Sequence, residues 1–315
     1  MSNLRLFVMS ILAALLIIAC QSNSVQQSPN SQSLTDCRTI QHALGEACVP
    51  TAPQRLVSLD DTTLADALAL GVPSVGASLI EGRLVADYLA SRSSQMILLG
   101  KSEQPNLEKM LRIKPDLIIG IDLFSKPIFK QLSQIAPTAL GNWNGLPTWR
   151  EHFNFVANVL DKEDEARQVW DSYEQRINKI RAALGNQLQD VEISIIYTYD
   201  DTITIDAENS FAGSILADIG IRRPKAQAAV EDGIIILSEE RIPEIDADII
   251  FVSVYDTESE QILEDWQQKP LWNQLKAVQA GQVHIVDANI WRAGDPMAAD
   301  LVIDDLFKYL LKAKP

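Results

Sequence analysis

LEKMLRIKPDLII, residues 107–119, and EERIPEIDADIIF, residues 239–251, are one pattern written twice, 132 positions apart. The offset pairs Glu108 with Glu240, Lys109 with Arg241 and Asp116 with Asp248, and GVP at Gly71 rhymes more weakly with GIRRP at Gly220. Each copy ends in an apolar run of the kind buried on both faces of a sheet. A chain that repeats such a unit at this distance is constrained to two related halves, and a cleft between two halves is a common ligand site.

The surroundings of each copy agree. RLVSLD (55–60), PSVGAS (73–78), QMILLG (95–100), PDLIIGID (115–122) and PTALG (137–141) read as strands. TTLADALALG (62–71), NLEKMLRIK (106–114) and FSKPIFKQLSQIA (124–136) read as helices between them. Strands alternating with helices imply a parallel sheet covered on both faces. A second alternating region holds EISIIYTYDD, TITIDA, a helix from Ser210 to Ile219, SEERIPEI, ADIIFVSVY, a helix over 258–268, QVHIVD, and a last helix beginning at Asp295–Pro296.

Between them the rhythm becomes helical. Thr148 with Glu151 fits a capping box for a helix through Leu160, and Asp161 with Asp164 starts a longer one that Gly185 stops. In the second helix, Ala166, Val169, Trp170, Tyr173, Ile177, Ile180 and Leu184 form one apolar stripe, the signature of a core face. The fold expected is therefore α/β: two lobes with mainly parallel sheets, 37–147 and 186–315, joined through helices at 148–185 that include one long helix, with a ligand cleft between the lobes.

The N-terminus has its own chemistry. The run from Leu6 to Ala19 is apolar except for Ser10, follows Arg5 and ends at Cys20. At 14 residues it is shorter than the roughly 20 a helix needs to cross a bilayer. The order of charge, apolar run and small residue is that of a secretory signal, 1–19. Residues 20–36 offer Val25 and Leu34 and otherwise polar side chains, which suits a disordered tether with a root-mean-square reach of roughly 20 Å. An exported protein meets an oxidising compartment, so Cys37 and Cys48, bracketing CRTIQHALGEAC, are expected to form a disulfide across a hairpin that turns at Gly45.

Composition excludes one large class. The net charge of −15 becomes one unit more negative without Arg5, so a polyanionic nucleic acid would be repelled. No G-x-S-x-G, H-E-x-x-H, Walker or dinucleotide fingerprint occurs. His42, His152 and His284 fall on a hairpin, a helix and a strand, which suits structural roles better than a zinc or manganese centre. Asp60 and Asp61 could serve as the carboxylates of an extracytoplasmic hydrolase, but adjacent acids before Thr62 fit a helix cap better.

Ligands of open parallel sheets sit beyond the carboxyl ends of the strands. That rule gathers Asp60, Ser78, Lys101, Trp143, Tyr199, Tyr255, Trp291 and Arg292, with Arg83, Arg222 and Arg223 on nearby loops. Cations and flat rings are what an outer shell around an anionic chelate needs. Arg292 and Trp291 lead the set, because Gly294 and the Asp295–Pro296 helix start fix the loop that carries them. Two alternatives use the same region: a direct ferric-iron receptor with Tyr199 and Tyr255 as phenolate ligands, and a haem receptor with an axial Tyr or His.

PQRLVSLDDTTLADALALGVPSVGAS, PNLEKMLRIKPDLIIG, NSFAGSILADIGI and PLWNQLKAVQAGQVHIVDANIW together resemble the helical-backbone (class III) binding proteins of ABC importers that collect ferric siderophores, ferric citrate, haem or vitamin B12. The match runs over roughly residues 39–312. The resemblance implies a binding protein rather than an enzyme, with no resident metal or cofactor, that takes a ferric siderophore as a monomer and delivers it to a membrane permease. It implies two docking residues, Glu108 and Glu240, one per lobe, that meet arginines of the permease. Ile17-Ile18-Ala19-Cys20 resembles a lipobox, which implies a diacylglycerol on Cys20 and a receptor held in the lipid bilayer, in the periplasm or on the outer face of the cytoplasmic membrane.

Overall fold

Asp116 and Asp248, matched by the repeat, do the same work in two places. In a computed structural model of the chain, which describes residues 37–80, 85–143, 148–199, 202–230 and 233–312, Asp116 accepts the backbone N–H groups of Gln54 at 2.7 Å and Arg55 at 2.9 Å. Asp248 accepts that of Glu192 at 2.8 Å. Each carboxylate therefore ties the start of one strand to the start of its parallel neighbour: Leu56–Ser58 to Leu117–Ile121, and Ile193–Tyr199 to Ile249–Val254. The repeat is a repeated strand-pairing device. Residues 1–36, with the signal segment, the tether and Cys20, lie outside the described residues, as does Arg83.

The described chain opens with β1 (Cys37–His42) and β2 (Gly45–Pro50), an antiparallel hairpin closed by the Cys37–Cys48 disulfide. Closing a loop of this length contributes about 3 kcal/mol by the chain-entropy estimate. Then follow β3 (Leu56–Ser58), α1 (Asp61–Ala69), β4 (Ser74–Leu79), α2 (Asp87–Ala90), β5 (Ile97–Lys101), β6 (Gln104–Pro105), α3 (Leu107–Ile113), β7 (Leu117–Ile121), α4 (Phe129–Ile135) and β8 (Thr138–Gly141). They form a six-stranded sheet of order β6-β5-β4-β3-β7-β8, parallel throughout except for β6. The hairpin covers the β8 edge, where Ala43 N–H donates to the Leu140 carbonyl at 2.8 Å.

Two helices intervene, α5 (Trp149–Leu160) and α6 (Glu163–Leu184). The second lobe comprises β9 (Ile193–Tyr199), β10 (Thr202–Asp206), α7 (Phe211–Ile219), β11 (Ile234–Leu237), β12 (Ile249–Val254), α8 (Thr257–Gln267), β13 (Val283–Asp287), α9 (Ala288–Trp291) and α10 (Pro296–Lys312). Its five-stranded sheet has the order β11-β10-β9-β12-β13. Strands β9, β12 and β13 are parallel, and β10 runs antiparallel to both of its neighbours. Among the described residues no helix is long and apolar enough to cross a membrane.

The apolar stripe of α6 is shared between the two cores. Its first turns place Ala166 against Phe153, Val156 and Leu160 in the core of the first lobe. Its later turns place Tyr173, Ile177, Ile180 and Leu184 among Ile193, Phe211, Phe251 and Ile303 of the second. At 1.5 Å per residue the helix is ~33 Å long, enough to reach from one core into the other. Trp149, at the start of α5, strengthens the junction by donating its indole N–H to Ser214 of α7 at 3.1 Å.

Three details differ from the sequence reading. Thr148 precedes α5 without a side-chain capping bond, so the expected capping box does not form. Asp161 ends α5 in a left-handed conformation (φ 59°), and α6 starts only at Glu163. The second copy of the repeat is a 3-10 turn, Glu239–Ile245, where the first is the α-helix α3, because Pro243 inside it has no N–H to donate.

Candidate functional site

The carboxyl ends of the parallel strands in both lobes converge on one cavity of about 160 Å³. From the first lobe come Asp61 of α1, Leu79 and Ile80 at the end of β4, and Tyr88 of α2; from the second come Tyr255 after β12 and Asn289, Arg292 and Asp295 around α9. Pockets that enclose a whole drug-sized ligand measure roughly 300–1,000 Å³, so this space alone is too small to enclose a ligand of that size. Two bonds link the lobes beside it. Tyr88 Oη donates to Asp295 Oδ2 at 2.8 Å, and Thr62 Oγ1 donates to the Ala293 carbonyl at 3.1 Å.

The loop between α9 and α10 is fixed as its sequence implies. Gly294 adopts φ +83°, a left-handed conformation that a side chain would strain. Asp295 caps α10 by accepting the Ala298 N–H at 2.9 Å, and Pro296 supplies the first helical residue. This loop presents Arg292 to the cavity. Its Nε lies 3.3 Å from Asp206 at the end of β10, its Nη1 donates to Tyr255 Oη at 3.0 Å, and its Cζ sits 3.5 Å from the centre of the Tyr197 ring. Burial opposes the charge on this guanidinium, but Asp206, Tyr255 and Tyr197 together outweigh it and the pKa shifts upward. Arg292 is therefore a permanent cation.

Trp291 is not a cleft residue. It is fully buried, packs 4.5 Å from Phe251 between ring centres, and donates its indole N–H to Asp305 at 2.9 Å. Arg292, the next residue, follows the end of α9 and lines the cavity instead. Arg222 is also misplaced by the sequence reading. Its Nη2 donates to the Asp190 carbonyl and its own carbonyl accepts Ile193 N–H, which sets it at the amino end of β9, the opposite edge of the sheet. Arg223 lies beneath the wall, donating to the Asp206 carbonyl at 2.7 Å and to Gln227 at 2.5 Å. Burial lowers its pKa to about 10, with Asp206 and Glu208 drawing it back.

The remaining candidates divide between the cleft and its rim. Trp143 stands at the junction of the lobes, with its ring 3.5 Å from where a β-carbon on Gly294 would lie and edge-on to His152. Lys101 ends β5 exposed, paired across the strands with Leu79 of the cavity wall. Tyr199 is the last residue of β9, at the carboxyl end of a strand of the second lobe's sheet. Ser78 is fully buried. Asp60 is committed to the backbone, accepting Thr63 N–H at 2.7 Å and Ile121 N–H at 3.0 Å, which leaves the Asp60–Asp61 pair without the two free carboxylates a hydrolase would use. Tyr88, Asn289 and Asp206 are the residues that sequence reasoning missed. Tyr88 sits on a helical turn of four residues, too short to show a period, and Asp206 ends a strand whose direction is reversed.

A cluster of acids lies behind the cavity. Burial raises the pKa of Asp60 and of Asp295 to about 6 each. Asp66 of α1 is wholly buried, and neither of its oxygens has a hydrogen-bond partner among the described residues; His152 Nε2 stands 3.8 Å off. Burial, reinforced by Asp295 and Asp60, pushes its pKa well above the usual carboxyl value. The folded chain therefore holds more protons than the unfolded chain from about pH 4 upward, and this group's contribution to stability falls as pH rises through that window. Asp66→Asn removes the effect. The stability of the variant relative to the parent is expected to grow between pH 5 and pH 8, by at most about 1.4 kcal/mol per pH unit, in urea melts. A difference that stays constant across that range would show that Asp66 titrates normally.

The histidines do not gather. His152 is buried with Nε2 3.0 Å from Thr63 Oγ1, and His284 stacks 4.3 Å from the ring of Tyr309. Among the described residues no group of three or more His, Cys, Asp or Glu is placed to hold a metal ion.

The chain matches the model of a family described as periplasmic binding protein over residues 56–290. It is 33% identical to the probable siderophore-binding lipoprotein YfiY of Bacillus subtilis, over 96% of this chain and 97% of that one. It is 30% identical to the Fe(3+)-citrate-binding protein YfmC of the same organism, over 92% and 91%. Among solved structures it is similar to Staphylococcus aureus SirA complexed with staphyloferrin B, with a TM-score of 0.77 at 29% identity, covering 87% of this chain and 98% of that one.

Proposed function

The chain belongs to the periplasmic binding protein family, as a class III substrate-binding protein of ABC importers, and from that membership we propose that it captures a ferric siderophore and passes it to a membrane permease for iron uptake. The observation that carries this reading is Arg292: a permanent cation on the wall of the cleft, held by Asp206 and Tyr255 against the ring of Tyr197. A siderophore already satisfies the coordination of its iron. The receptor then needs only charge, N–H groups and flat apolar surface around the outside of the chelate. Arg292, Trp143 and Tyr255 supply these, and Lys101 and Tyr199 each end a strand, one in each lobe. The names of YfiY and YfmC and the ligand in the SirA structure support a ferric chelate over haem, vitamin B12 or bare ferric iron. The protein performs no chemistry on its ligand.

Glu108 and Glu240 are the docking residues of this reading. Glu108 is exposed in the first turn of α3, and Glu240 is exposed in the 3-10 turn that follows β11. Residues 37–147 and 186–315 act as the two gripping lobes and 148–185 as their connection. A lipid on Cys20 and the tether after it hold a monomeric receptor at the outer face of the membrane, which raises its effective concentration at the permease.

Native mass spectrometry of the protein taken from iron-starved cells tests the ligand assignment. The expected spectrum shows the intact chain plus the mass of one ferric chelate, lost on reduction of the iron. Retention of an iron-free organic molecule instead would overturn it.

A further inference from the structure

We infer that Asp206 is a positioning residue for the ligand: it turns the Arg292 guanidinium so that its unused N–H edge meets the chelate. The inference rests on the proposal that Arg292 contacts ligand. Asp206 ends β10 with its side chain 3% exposed, and both of its oxygens lie 3.3 Å from Arg292 Nε. Tyr255 takes a hydrogen from Nη1, and Tyr197 covers one face of the plane. An arginine has five N–H groups in a rigid fork. Gripping it at Nε, at Nη1 and on one face fixes its plane and leaves the Nη2 pair and one Nη1 hydrogen to be given to an anion.

The second buried arginine explains why one carboxylate is there. Arg223 donates to the Asp206 main-chain carbonyl, and its Nε and Nη1 have no partner among the described residues. The trio of Arg292, Arg223 and Asp206 carries a net single positive charge, with Glu208 acting on Arg223 from nearby. Without Asp206, two unneutralised cations would be buried side by side, and the long Arg292 side chain would be free to swing toward water. Ordering it only upon binding costs affinity, and holding it ordered beforehand removes that cost.

The test uses Asp206→Asn, which keeps the size and one acceptor oxygen and removes the charge. In the full chain labelled with ¹⁵N-arginine, the Arg292 Nε–H signal is assigned by its disappearance in Arg292→Lys. Its exchange with solvent is expected to be at least tenfold faster in Asp206→Asn. In titrations with ferric citrate as the probe, Asp206→Asn is expected to weaken binding at least tenfold, yet to cost nothing further in an Arg292→Ala background, because a positioning residue acts only through the residue it positions. Unchanged Arg292 exchange, or an equal loss in both backgrounds, overturns the assignment. If the Asn variant does not fold, Asp206→Glu keeps the charge and moves it by one methylene; faster Arg292 exchange in it supports the positioning role and unchanged exchange overturns it. A parent protein that binds no ferric chelate refutes the ligand proposal instead, while the exchange measurement still decides what Asp206 does.

Discussion

Arg292→Ala is expected to weaken the binding of an anionic ferric chelate by at least tenfold. Removing one partner of a buried, hydrogen-bonded charge pair costs about 2–5 kcal/mol, part of which is the penalty left on the other partner. Here the other partner is Asp206, and Arg223 remains beside it. The deletion removes a cation that lines the cavity beside Asp61 and Asp295, and it leaves the Asp206 carboxylate near the charge of Arg223 but without the Arg292 donor. The folded chain should survive and the loss should fall on the ligand. Isothermal titration with ferric citrate and with a ferric trihydroxamate separates charge from shape: the loss should be larger for the more anionic probe. Equal affinity in parent and variant would remove Arg292 from the site.

Reversing Glu108 and Glu240 together, to Lys, should reduce uptake of ⁵⁵Fe by cells at least tenfold while leaving ligand affinity unchanged. Neither residue lines the cavity. Glu108 faces solvent, with Arg112 of the same helix 3.9 Å away and also exposed. Glu240 accepts the Ser238 hydroxyl at 2.7 Å, which lowers its pKa and keeps it ionised. Exposed ion pairs contribute little to a fold, about 0–1 kcal/mol each, so reversal should not unfold the protein. Opposite a cationic partner the same two changes replace two attractions with two repulsions, which acts on association and register. Loss of ligand binding in the double variant would contradict the docking role, as would normal uptake.

How much of this was legible beforehand follows from what sequence patterns encode. The two-lobe plan was legible because Asp116 and Asp248 each follow a helical turn and precede an apolar run, and each does one local job. The stripe on α6 was legible because every member faces a core. Direction was not. Arg222 and Arg292 both sit near strand ends, but nothing in a single sequence says which end, and Arg222 proved to be at the amino end of β9. Orientation within one turn was equally hidden: Trp291 and Arg292 are adjacent letters with opposite fates, one in the core and one at the cleft. The reversal of β10 against β9 was hidden too, and with it the place of Asp206 beside Arg292.

The stapled hairpin also covers main chain that another strand could otherwise pair with. An unpaired strand rim invites a neighbour's backbone to add on, and crowded sheets aggregate by that route. In the first lobe one rim lies under β1 and β2, themselves clamped by sulfur. The other ends in β6, two residues long and finishing in Pro105, which has no hydrogen to offer. The β8 rim is thereby closed to a neighbour's strand, and the opposite rim ends on a residue that cannot donate to one.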